Sequence, residues 1–149
     1  MSRESRVWWL RAIGLWFLLM TAETLQGFWR SKVLARWMSD AASRDLNTFT
    51  GTLIILLITF ACIGWFPARK TGTLLQIGAI WVALTLTYEI VLGRAVLHRS
   101  WSEIASDFDL SQGRLFPLGI LFLLFAPLIA ARLRGRLQSG HNPPLTLRA

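Results

Sequence analysis

The chain has 149 residues, enough for one domain, and 54% of them are hydrophobic, well above the level of soluble proteins. Sixteen basic residues stand against eight acidic ones, yet no segment is long enough to fold the soluble basic face that nucleic-acid binding needs. Cys62 is the only cysteine, which excludes a disulfide, a c-type haem attachment and a cysteine zinc site within one chain.

The apolar residues are bunched rather than periodic. Crossing a hydrocarbon core of about 30 Å takes about 20 helical residues, and four runs approach that length. They predict helices over 7–29, 49–67, 73–93 and 115–131. An open sheet leaves its backbone unsatisfied in lipid, so the expected fold class is all-α: a polytopic membrane protein with four transmembrane helices in a bundle. The domain is expected to cover 1–136, and the tail 137–149, with Gly140, Pro143 and Pro144, reads as flexible.

The first run contains Arg11 and Glu23. Arg11 is near its start and can reach outward along its own stem. A cleaved signal peptide is the competing reading, since Arg3 and Arg6 precede the run. Four tryptophans by position 29 and the absence of a small-x-small cleavage site argue for a retained helix.

The first connection, SKVLARWMSDAASRDL, places Val33, Leu34, Trp37, Met38 and Ala41 on one helical stripe and predicts a short amphipathic helix lying at the interface. The second, FPARKTG, is a tight turn marked by Pro67 and Gly72. The third opens SWSE, where Ser100 caps a helix and Glu103 closes the capping box, with Trp101, Ile104 and Phe108 at helical spacing. Within it DFDLSQG is a poor calcium loop, because Gly113 is one position late and the bidentate glutamate is missing. In the fourth run Pro127 is expected to kink the last turns, and Ala126 with Ala130, like Ala79 with Ala83 in the third, offers a small-residue contact.

Nine basic residues fall in the N-terminus, the second turn and the tail, against seven in the two longer connections. RLRGR directly follows the last run. The positive-inside rule therefore puts both termini in the cytoplasm.

The informative residues are the two carboxylates within the apolar runs. On a helix, Trp16, Met20, Glu23, Gly27 and Arg30 form one stripe with Gln26 beside it, and Gly78, Val82, Thr85, Glu89 and Gly93 form another. A charge facing lipid is costly, so both stripes are expected to turn inward, with Gly27 and Gly93 admitting a neighbouring helix. Glu23, Gln26, Arg30, Glu89 and Arg94 then form an intramembrane polar cluster. The repeated Glu–Gly–Arg pattern is also consistent with two parallel helix pairs related by an axis along the membrane normal. Nothing points to a catalytic residue, a cofactor site or a metal site. His98, Ser100 and Asp107 lack a nucleophile turn or an oxyanion hole, and the two histidines, His98 and His141, are too differently placed for a bis-histidine haem.

The segments AETLQGFWR, FTGTLIILLI, WVALTLTYEIVLGR, SWSEIASDFDLSQGRLFPLG and APLIAARLRG resemble a group of small bacterial four-span inner-membrane proteins of unassigned function. The resemblance runs from about Ala22 to Gly135 and implies a multi-pass protein of the bacterial cytoplasmic membrane. Members of the group often have histidine where this chain has Gln26, so any chemistry resting on that histidine is absent here.

The first functional reading is a non-enzymatic accessory or interaction subunit, its glutamate–arginine cluster holding the bundle. Its expected associations are the lipid bilayer and either a second copy or another membrane protein. The alternative is a small oligomeric proton- or cation-coupled transporter or channel using Glu23 and Glu89.

Overall fold

The computed structural model describes residues 3–33, 36–66, 69–112 and 114–137, and among these every regular element is helical. In chain order they are α1 (Arg3–Lys32), α2 (Asp40–Cys62), α3 (Thr71–Val91), the short α4 (Trp101–Ser106) and α5 (Phe116–Leu133). A 3-10 turn, Ile63–Trp65, prolongs α2, and a π-helical turn, Leu92–Val96, prolongs α3. Three segments are long and apolar enough to cross a membrane: 46–65, 71–96 and 116–133. The first expected span is helical throughout but is not among them; Arg11, Glu23 and Gln26 punctuate it.

One boundary differs from the sequence expectation. In the first connection, where the sequence predicts an interfacial helix, the described residues Trp37, Met38 and Ser39 are not helical. Ser39 has extended backbone angles and its hydroxyl accepts from the Ala42 amide at 3.3 Å, so α2 starts at residue 40. The cap falls between Met38 and Ala41 and breaks the expected stripe, of which Leu34 lies outside the described residues. Helix propensity and a serine cap, rather than hydropathy, set this end. The third connection is as expected: Ser100 and Glu103 form the reciprocal capping box that starts α4. The tail from residue 138 onward also lies outside the described residues.

The helices pack in the cyclic order α1, α2, α5, α3: α5 lies between α2 and α3, and α1 packs closely on α2 and sparsely on α3. Two parallel pairs related by an axis along the normal would put α1 diagonally opposite α3. Here the two are neighbours, so the echo between their sequences is not matched by that symmetry.

The core occupies the half of the molecule around the start of α1, here the lower half. Trp81, Leu19, Ile63, Leu74 and Ile77 are almost completely buried. The Trp81 indole donates to the Ala12 carbonyl at 2.9 Å, and the Trp16 indole to the Thr85 hydroxyl at 3.0 Å. Each tryptophan thus buries its ring and satisfies its N–H across the α1–α3 seam. Gly78 lies so close to α5 that an added β-carbon would overlap the Leu124 carbonyl. Of the expected alanine pairs, Ala126 and Ala130 are fully buried, whereas Ala79 and Ala83 are exposed. Pro127 is also buried, and α5 stays helical through it.

Candidate functional site: a carboxylate-lined cavity in the upper half

Above the core the helices draw apart. They enclose a cavity of about 710 Å³ reached by residues from α1, α2, α3 and α5, with both Glu23 and Glu89 in its wall. A smaller space of about 320 Å³ adjoins it at the upper end, lined by Arg30, Asn47, Glu89, Arg99, Asp107 and Arg114 among others. Arg30, Asn47, Thr48, Glu89 and Phe116 belong to both, so the smaller space is the mouth of the larger.

The helices position these groups by simple periodicity. Glu23, Gln26 and Arg30 lie on one stripe of α1, and that stripe runs antiparallel along α2. The Glu23 carboxylate rests against Gly51, where an added β-carbon would stand 2.6 Å from Oε2. One turn up, the Gln26 amide donates to the Asn47 carbonyl at 2.9 Å and to the Thr50 hydroxyl. One further turn up, Arg30 donates to Ser43 at 3.4 Å. Glycine at 51 is what lets a carboxylate fit between two helices.

Three acceptor oxygens in this seam are buried without a hydrogen-bond partner: Glu23 Oε1, Gln26 Oε1 and Asn47 Oδ1. Leaving such groups unpaired in a low-dielectric interior costs about 1–3 kcal/mol each, more for a charged one. All three ask for a donor.

Glu89 approaches the cavity from α3. The charges that act on it are Asp107 and Arg99. Arg99 pairs with Asp107 at 2.8 Å, and Arg114 reaches the same carboxylate at 3.9 Å. The Asp107 carboxylate also holds the Arg99 guanidinium above its usual range, chiefly through their hydrogen bond. Outside the cavity, two hydrogen bonds from Ser100, backbone and hydroxyl, keep the Glu103 carboxyl below the ordinary range.

The expected cluster is therefore distributed differently. Glu23, Gln26 and Arg30 face α2, and Glu89 meets Arg99 and Asp107, two residues that the sequence reading did not include. Arg94 is exposed; it donates to the Arg99 carbonyl at 2.6 Å and lies 5.0 Å above the Trp101 ring. The π-helical turn rotates residues 92–96 out of the register a regular helix would have given them. Gly93 does admit a neighbour, but it is Ile104 of α4, 3.1 Å from an added β-carbon, rather than a long helix. Gly27 meets open space and lines the cavity. The close approaches are at Gly51 and Gly78; Gly78 stands in the predicted α3 stripe, while Gly51 sits unmarked in FTGTL.

Thr24, Ser31, Thr52, Thr85 and Tyr88 add hydroxyls to the lining, and those of Thr24 and Tyr88 meet at 3.3 Å across the α1–α3 seam. Among the described residues no group of three or more histidines, cysteines or acids is placed to hold a metal ion. In DFDLSQG, Asp109 instead accepts from the amide and hydroxyl of Ser111. No protein-family model, curated protein or solved structure matches the chain.

Proposed function

We propose that this chain is a non-enzymatic, four-span protein of the bacterial cytoplasmic membrane whose upper cavity binds a proton or a cation, as a small transporter or channel does. The observation that carries the reading is Glu23, a residue of the cavity wall whose Oε1 is buried with no donor. A carboxylate set between helices is a functional candidate by default, because an apolar side chain there would be cheaper.

The geometry also supports α1 as the fourth span. Glu23 turns to α2 and the cavity, and Arg11 donates to the Trp65 carbonyl at 2.7 Å. At that same lower end Arg136 donates to the Gly64 carbonyl at 3.1 Å, and Arg134 lies 4.7 Å above the Phe60 ring. Basic side chains thus gather where α2 ends, as its dipole favours. By the positive-inside rule that end, with both termini, is cytoplasmic, and the cavity faces outward. The bacterial setting follows from the resemblance described above.

The accessory reading keeps one supporting observation: the Arg99–Asp107 pair, which closes the connection around α4, stands beside Glu89 of α3. Its main premise was a glutamate–arginine cluster between spans, and Arg94 is engaged elsewhere.

Reconstitution separates the two. Liposomes loaded with a pH-sensitive dye should show proton or sodium flux above protein-free vesicles. Glu23→Gln and Glu89→Gln should abolish it while the unfolding temperature is kept. Absence of flux, together with loosened folding in both variants and co-purification of a membrane partner, would return the assignment to the accessory reading.

A further inference from the structure

We propose that the ligand of the upper cavity is a primary ammonium group on an apolar body, reaching its site sideways from the lipid between α1 and α3. This rests on the reading above that the cavity binds a cation, and it names the cation's class and path.

The first argument is donor count. Two residues of the cavity wall, Glu23 and Asn47, each hold a buried acceptor without a partner. A protonated primary amine carries three N–H donors, enough for both, and the charge that complements Glu23. A bare proton satisfies one of these oxygens and leaves the other.

Cavity shape supplies the second. Much of the rest of its wall is apolar, with Met20, Ile55, Leu92, Phe116, Ile120 and Leu123 beside a smaller set of hydroxyls. About 710 Å³ is far more than an ion needs and is the size of pockets that enclose a small organic molecule.

The path follows from the charges. The mouth is lined by three arginines, Arg30, Arg99 and Arg114, against two carboxylates, Glu89 and Asp107, a balance that disfavours a cation arriving from water. The side is framed by uncharged residues, with Lys32 5.9 Å over the Phe28 ring at its upper edge. Described contacts hold α1 to α3 at Ala12–Trp81, Trp16–Thr85 and Thr24–Tyr88. Above them Gly27 meets open space, and Phe28 and Leu97, which line the cavity, are 63% and 57% exposed. An apolar body can lie in that gap while its head reaches Glu23.

The test is calorimetric titration of the full chain in phosphatidylcholine nanodiscs with octylamine, octanol, methylamine and sodium chloride. Octylamine should show saturable binding beyond its partition into protein-free discs, with octanol and methylamine each weaker by about tenfold or more. Glu23→Gln should weaken octylamine by a similar factor. Gly119→Leu and Gly27→Leu should also weaken it by filling the cavity; both glycines meet open space, so circular dichroism should be unchanged and the unfolding temperature kept or raised. Glu23-dependent binding of sodium or methylamine as tight as that of octylamine would overturn this inference and leave the cation reading standing. If no cation binds in a Glu23-dependent way, both fall.

Discussion

The Glu23 carboxylate lies flat against Gly51, with no room between α1 and α2 for a β-carbon. The contact is side chain to backbone, so its sign can be tested by relief. Gly51→Ala should destabilise the protein by at most about 1 kcal/mol, because the glutamate tip can swing aside and alanine favours the helix. In a Glu23→Ala background the same change should cost much less. Unfolding of all four proteins in mixed micelles gives the coupling directly; additive effects would place the carboxylate elsewhere.

Gly78 should be the less forgiving glycine. The neighbour there is the Leu124 backbone, which cannot swing aside as a glutamate can. Gly78→Ala is expected to cost at least the upper part of the ~1–3 kcal/mol overpacking range. Gly27→Ala meets open space and should gain up to about 1 kcal/mol from helix propensity. Equal effects at the two positions would contradict the packing described.

Trp81→Phe should destabilise by about 1–2 kcal/mol, mixing a lost hydrogen bond with a small void. The ring is wholly buried and its N–H is spent on the Ala12 carbonyl. Trp65→Phe supplies the contrast: that side chain is 70% exposed and should tolerate the change within error. The two substitutions separate a core tryptophan from one at the surface, which composition treats alike.

The Ser100–Glu103 capping box makes α4 sensitive to acid. Glu103 is held below its ordinary range by the Ser100 amide and hydroxyl. A depressed carboxyl contributes stability above its unfolded value, which falls away as pH drops through the folded value. The α4 amides should therefore exchange faster as pH is lowered below about 4.5, once intrinsic exchange is allowed for. Ser100→Ala should remove most of that pH dependence and raise exchange at neutral pH. A pH-independent α4 in the parent chain would show that the box does not hold it.

Much of this molecule is written locally. Charge-free apolar runs of 17 residues or more have one economical conformation in lipid, and a serine followed three residues later by glutamate caps a helix wherever it occurs. Three of the four expected runs are indeed helices long and apolar enough to cross a membrane, and α4 begins at Ser100 as expected. Helix periodicity also put Glu23, Gln26 and Arg30 on one face, and they share one.

Periodicity says which residues share a face but not which helix that face meets. The cyclic order α1, α2, α5, α3 depends on close approaches such as Gly78 against Leu124 and on two tryptophans satisfied across a seam. Once that order is set, Glu23 meets Gly51 rather than Arg94. Glu89 meets Arg99 and Asp107, 10 and 18 residues further along, because a π-helical turn redirects the chain after Val91. The cavity has no sequence signature at all, since it is the space left where neighbouring helices diverge. Length and apolar character, which belong to each segment separately, determined the helices. Contacts between segments, which only the packed chain possesses, decided what the two carboxylates face.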